Sequence, residues 1–260
     1  MDFTISSQPK RIASFDDLSV RVYEEDRELA QDAARLAQDC LQSLLQQQEI
    51  ARVVLATGNS QIKFLEILTT VKELDWSRVI FFHLDEYLGI SEEHPASFRY
   101  YLRHKVEQKI PSCKFYYLQG DALQPLEECY RYSKLLQQKP IDLCLLGVGE
   151  NGHLAFNEPT VADFVDSQTV KIVKLEPITR QQQVDGGYFS SLETVPQYAY
   201  TLTIPTICSA NKILCLVSGK HKAEVVKTML HSPINVECPA SILRRQKAIL
   251  FLDRHSASLL

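Results

Sequence analysis

The stretch GVGENGHLAFNEP, residues 147–159, places three glycines, two asparagines, a histidine and two glutamates directly behind an apolar run. Such a segment is poor material for a core. Histidine titrates near neutral pH, so His153 can move protons between oxygens. Glu158 could orient and charge-tune that imidazole as a carboxylate does in a triad, and Asn151 could hydrogen-bond the same assembly. Glycine lets the backbone turn tightly or approach a ligand closely.

A second group is FHLDEYLG, residues 82–89, where Asp85 and Glu86 close an apolar run. A carboxylate in a partly dry cleft can act as base toward a C–H proton. Adjacent residues of a strand point to opposite faces, so one of the pair is expected to face the cleft. A third is LATGNSQ, residues 55–61, with Thr57, Gly58, Asn59 and Ser60 between an apolar run and a helical pattern. Hydroxyls and free N–H groups at a helix start favour an anion; a plain turn with Ser60 as N-cap would look the same. A fourth is Lys222 in VSGKHKAEVV, with Lys220 as a competing cation.

These groups need elements to bring them together. Residues 27–48 carry apolar side chains at helical spacing, and the residues before the first strand read mainly as that one amphipathic helix. Short apolar runs at ARVVL, RVIFFHLDEY (78–87), IDLCLLG (141–147), YAYTLTI (198–204), KILCLVSG (212–219) and AILFLD (248–253) read as strands, with helical patterns between several of them. Strands alternating with helices predict an α/β fold around a largely parallel sheet. In such sheets ligands bind beyond the carboxyl ends of the strands, which is where all four groups fall. With no repeat or linker, residues 1–260 are expected to form a single domain.

Hydrophobic residues are 45% and charged residues 23% of the chain, the balance of an ordinary globular protein. A formal net charge of -4 leaves no basic footprint for nucleic acid. No apolar run is long enough to span a bilayer, and MDFTISSQPK lacks the order of a signal peptide. Seven cysteines, several in apolar runs and none in a C-x-x-C pair, read as buried thiols in a cytoplasmic protein.

LDEYLG with HPASF behind it, GVGENGHLAFNEP, VPQYAYTLTI and VSGKHKA, in this order, resemble the glucosamine-6-phosphate deaminase/isomerase family. The resemblance runs from about residue 50 to 250. It implies a modified Rossmann-like three-layer sandwich and hydrolytic isomerisation of glucosamine 6-phosphate to fructose 6-phosphate and ammonia, without metal or cofactor. It implies that Asp85 takes the C2 proton, that His153 carries protons at the ring oxygen, and that Asn151 and Glu158 support the histidine. Thr57, Gly58, Asn59, Ser60, Glu86, Arg180 and Lys222 are the implied substrate-binding positions. The partner is a small-molecule sugar phosphate, neither nucleic acid nor membrane, and a homo-oligomer is compatible with the pattern.

The chain departs from the family in TRQQQVDGGYF, where an arginine before a Phe-Phe pair is common and contacts phosphate; here only Arg180 is present, displaced toward the N-terminus. The basic positions of the allosteric site and the long C-terminal extension of hexameric members are also not evident, so no activation by N-acetylglucosamine 6-phosphate is expected. Two rival readings exist. A 6-phosphogluconolactonase resembles DER where this chain has Asp85, Glu86 and Tyr87, and SLFP in place of AFNEP. A sugar-phosphate sensor would have no use for the Asp85, His153 and Glu158 set.

Overall fold

The computed structural model describes residues 8–260; the first seven residues of the N-terminal stretch read above lie outside the described residues. The chain runs β1 (Arg11–Phe15), β2 (Leu18–Tyr23), α1 (Asp26–Gln47), β3 (Ala51–Leu55), α2 (Asn59–Leu68), β4 (Val79–His83), β5 (Asp85–Tyr87), α3 (Phe98–Leu102), β6 (Lys114–Phe115), α4 (Pro125–Gln137), β7 (Leu143–Leu146), β8 (Val170–Lys174), α5 (Pro177–Asp185), β9 (Tyr198–Leu202), α6 (Ile204–Cys208), β10 (Lys212–Val217), α7 (Ala223–His231) and β11 (Ala248–Asp253).

Eight strands form one sheet in the order β1-β2-β11-β10-β7-β3-β4-β6. Only β1 and β2 pair antiparallel; every other pair in this sheet is parallel. The central strands are apolar on both faces because helices cover both. Along β10, Ile213, Cys215 and Val217 face a core shared with α4 and α7, while Leu214 and Leu216 face a core shared with α1 and α2. The same alternation runs along β11, where Leu250 and Phe251 fall on opposite sides. This is the three-layer α/β sandwich expected. α1 is fixed at its start by a capping box in which Glu25 and Glu28 each bond the other's backbone N–H.

The chain leaves β3 toward β4 and β6 on one side, then returns through β7, β10 and β11 on the other. The strand order therefore reverses between β3 and β7, and a crevice opens beyond their carboxyl ends.

Two readings change. The run 78–87 is two strands in two sheets. Leu84 is the hinge: its N–H donates to Leu55 of the large sheet (3.2 Å) and its carbonyl accepts from Leu202 (2.8 Å) of a second, antiparallel sheet ordered β5-β9-β8. Asp85 thus starts a strand at the seam between sheets. The region before α1 is a β-hairpin, with Leu18 and Val20 buried and a turn at Asp16, whose φ is 52°. Two aspartates can hold such a turn, and a six-residue alternation is easily overshadowed by the 22-residue helix that follows.

Candidate active site

The crevice is a cleft of about 830 Å³ lined from four strand ends: Thr57 to Ser60 after β3, Asp85 after β4, Gly147 to Glu150 with His153 after β7, and Ser218, Gly219, His221 and Lys222 after β10. The far wall comes from α5 and the segment behind it.

His153 is held in one tautomer. The Oδ1 of Asn151 accepts the backbone N–H of His153 at 3.1 Å, which fixes which end of the amide carries oxygen. The same Oδ1 lies 2.7 Å from Nδ1, so Nδ1 must carry the proton and Nε2 keeps its lone pair. Burial, then the nearby Lys222 charge, pushes the imidazole pKa down to about 4. The ring is therefore a neutral proton acceptor at physiological pH. It lies flat against Gly149: a Cβ there would sit 2.1 Å from Cε1. Glycine at 149 is the space the imidazole occupies.

Asp85 and Tyr87 lie on one face of β5 and line the cleft, while Glu86 points away. Among the described residues the Asp85 carboxyl has no hydrogen-bond or ion-pair partner, although the residue is only 8% exposed. Burial, reinforced by the Glu86 charge, raises its pKa well above the ordinary carboxylate value. An unpaired, raised carboxylate is a stronger base than a solvated one.

The loop after β3 suits an anion. α2 begins at Asn59 behind Gly58, whose φ is 105°. The expected N-cap at Ser60 is replaced: Gly58 occupies the cap and Ser60 lies inside the first turn. The first N–H groups of a helix lack intrahelical acceptors. The Ser60 hydroxyl oxygen accepts from Gln61 Nε2 at 3.1 Å, leaving its own proton to donate. Lys222 lines the cleft with no ion-pair partner among the described residues, whereas Lys220 is exposed and outside the lining. Burial lowers the Lys222 pKa, partly offset by Glu150.

Residues 24–251 match the model for glucosamine-6-phosphate isomerases/6-phosphogluconolactonase. The chain belongs to this family. A glucosamine-6-phosphate deaminase of Exiguobacterium sibiricum is 36% identical over 235 residues, 90% of this chain and 91% of the relative. One from Exiguobacterium sp. is 35% identical over 230 residues, 88% of each. A solved monomeric glucosamine-6-phosphate deaminase superposes with a TM-score of 0.85 at 34% identity, covering 93% of this chain and 99% of that one. A 6-phosphogluconolactonase from Thermotoga maritima gives 0.72 at 20% identity, covering 91% of this chain and 99% of that one, a likeness of fold.

Three positions expected in the site of this family member have other partners. The Glu86 carboxylate is fully buried beneath α3, accepting from Ser97 Oγ (2.7 Å) and the backbone N–H groups of Phe98 (3.1 Å) and Arg99 (2.9 Å). It secures the start of that helix and does not line the cleft. Arg180 turns away from the cleft and donates to the carbonyls of Leu192 and Val195, closing the loop after α5. Glu158 does not bond His153. Its carboxylate accepts from the Thr179 hydroxyl and from the Glu176 N–H (3.0 Å), so it fastens the first turn of α5. Asn151 alone takes the imidazole N–H.

Glu158→Ala therefore leaves two buried donors without an acceptor, an expected loss of roughly 1–3 kcal/mol. Its thermal midpoint should fall by several degrees. NMR should find the His153 ring in the same tautomer; a change of tautomer would return Glu158 to the role of orienting carboxylate.

The wall formed by α5 was not legible beforehand. Its sequence, PITRQQQVD, has almost no apolar stripe, and only Thr179 is buried. Pro177 at the first helical turn was the available start signal. Through this helix Thr179, Gln182 and Gln183 line the cleft, followed by Tyr188. Gln182 Nε2 donates to Glu150 at 2.9 Å, tying the wall to the histidine loop.

Proposed function

We propose that the chain converts glucosamine 6-phosphate and water to fructose 6-phosphate and ammonia. One observation carries the reading: an unpaired, buried carboxyl at Asp85 and a neutral imidazole with a free Nε2 at His153 share a cleft also lined by Lys222 and a helix start that suit phosphate. Relatives at 35–36% identity over most of the chain carry that activity in their names.

The chemistry orders the groups. The cyclic sugar must open first, which moves one proton from the C1 hydroxyl to the ring oxygen. His153 Nε2 takes that proton from the C1 hydroxyl and delivers it to the ring oxygen, with Nδ1–H held on Asn151. Opening creates an aldehyde at C1, which acidifies the C2 hydrogen. Asp85 removes that proton, leaving an enolamine. Returning a proton to C1 gives an imine at C2; water adds there and ammonia leaves. Lys222 and the start of α2 hold the phosphate, which fixes C2 against Asp85. These steps consume one water and need no redox partner or cofactor.

Lactone hydrolysis would use no carbon-acid base, and the raised carboxyl of Asp85 would be idle in it. We read the chain as one domain acting on a small phosphorylated sugar in the cytoplasm. Seven free cysteines are compatible with that compartment, and among the described residues no helix is long and apolar enough to cross a membrane.

The test supplies glucosamine 6-phosphate and, separately, 6-phosphogluconolactone to the purified protein. Equimolar fructose 6-phosphate and ammonia, with no accelerated lactone hydrolysis, is the expected result; lactone hydrolysis without ammonia would replace this function. In the same assay Lys222→Ala should raise KM by about tenfold to a hundredfold, the worth of a hydrogen bond to a charged group. An unchanged KM would move the phosphate elsewhere.

A further inference from the structure

A cleft that takes a sugar phosphate must offset up to two negative charges. Among the described residues, Lys222 is the one lysine or arginine lining it, and Asp26, Asp85, Glu150 and Asp253 line it too. Arg180 is committed to two backbone carbonyls outside it. The remaining recognition must come from neutral donors.

We propose that Tyr188 is a phosphate-specificity residue: its hydroxyl exchanges Asn59 for a phosphate oxygen seated at the start of α2, supplying neutrally what a second cation would otherwise supply. The inference rests on reading the cleft as a sugar-phosphate site.

Four observations support it. Tyr188 lines the cleft and remains 47% exposed, so its ring is not a core residue. Its hydroxyl crosses the cleft and donates to Oδ1 of Asn59, the first residue of α2, at 3.2 Å. That distance is long for an O–H···O bond. A phosphate oxygen accepts more strongly, because bonds to an ionised acceptor are shorter and about twice as strong. Exchange of the neutral amide for the anion is therefore favourable.

The backbone is also shaped to aim the ring. Gly187 stands at φ 76°, a conformation side chains rarely adopt. A Cβ on Gly186 would lie 3.0 Å from Cε2 of Tyr188, so the two glycines let the chain turn and the ring fold back over it. Of the neighbouring phenols, Tyr101 also lines the cleft and donates at 3.2 Å, but to the fixed backbone carbonyl of Gly58. The Tyr87 hydroxyl is sealed from solvent. Tyr188 differs in donating to a side-chain amide, which can rotate away when an anion takes the bond.

The experiment uses inorganic phosphate as probe. Its binding to the full-length protein is followed by phosphorus NMR, and its competitive inhibition is measured with glucosamine 6-phosphate as substrate. Tyr188→Phe keeps the ring and removes the donor. Phosphate affinity should weaken about tenfold and KM should rise by the same factor, with a much smaller change in kcat, as for loss of one hydrogen bond to a charged group. Tyr188→Arg should recover phosphate affinity. A purely structural tie between Tyr188 and Asn59 would lower kcat and thermal stability while leaving phosphate inhibition unmoved. That result, or equal phosphate affinity in wild type and Tyr188→Phe, overturns the inference and leaves the proposed function standing. Failure of the wild type to bind phosphate would overturn both.

Discussion

Asp85→Asn is expected to lose turnover of glucosamine 6-phosphate by at least roughly 10²–10⁴-fold, the usual contribution of a positioned general base. Asparagine keeps the shape of the side chain and cannot take the C2 proton. Phosphate binding should survive, because Lys222 and the start of α2, which follow β10 and β3, are separate groups from the Asp85 carboxyl. The same residue sets a pH dependence. Below its raised pKa Asp85 holds a proton and is no base, so the acid limb of kcat/KM should lie above the ordinary carboxylate range. His153 loses its acceptor role only near pH 4 and sets a lower limit.

Stability should move the opposite way to activity. A carboxyl with a raised folded pKa binds more protons folded than unfolded, so stability falls as pH rises from the unfolded pKa to the folded one. At neutral pH the wild type carries that deficit and Asp85→Asn does not. The variant should therefore unfold a few degrees higher, consistent with a gain of roughly 0.5–2 kcal/mol for relieving a strained functional group. A variant that loses activity and also stability would argue that Asp85 serves the fold.

His153→Gln should slow the closed sugar by a comparable factor, roughly 10²–10⁴-fold, for a different reason. Glutamine supplies no lone pair at the Nε2 position with matching basicity, so ring opening fails. An open-chain amino-alcohol phosphate that cannot cyclise bypasses that step, and its binding should change little. An equal loss of binding with the open-chain mimic would show that His153 contacts the opened substrate and is not confined to ring opening. The pair of variants thus separates ring opening from carbon-acid chemistry, and the separation follows from distinct strand ends, after β7 for His153 and at the start of β5 for Asp85.

The parts that could be read from sequence are those whose physics is local. The strands β3, β7, β10 and β11 are continuous apolar runs, and such runs mean burial on both faces. The glycines at 147, 149 and 152 signalled a close approach, and the approach is that of an imidazole to Gly149. Long-range partners were not legible. Glu158 sits five residues after His153, yet its carboxylate reaches Thr179, 21 positions on, because the loop continues past the cleft and meets α5. Glu86 adjoins Asp85, and strand alternation sends it beneath α3. Arg180 stands in a helix whose polar sequence gave no face to orient, and its guanidinium serves the loop behind it. Tyr188 was not legible because its meaning depends on Asn59, 129 positions away.

The most direct test of the account follows the C2 hydrogen of glucosamine 6-phosphate in deuterated water with wild type and Asp85→Asn. The prediction is that the wild type loses the C2 hydrogen in step with formation of fructose 6-phosphate and ammonia, and that the variant binds inorganic phosphate normally while leaving C2 untouched. Exchange at C2 by Asp85→Asn at the wild-type rate would contradict it.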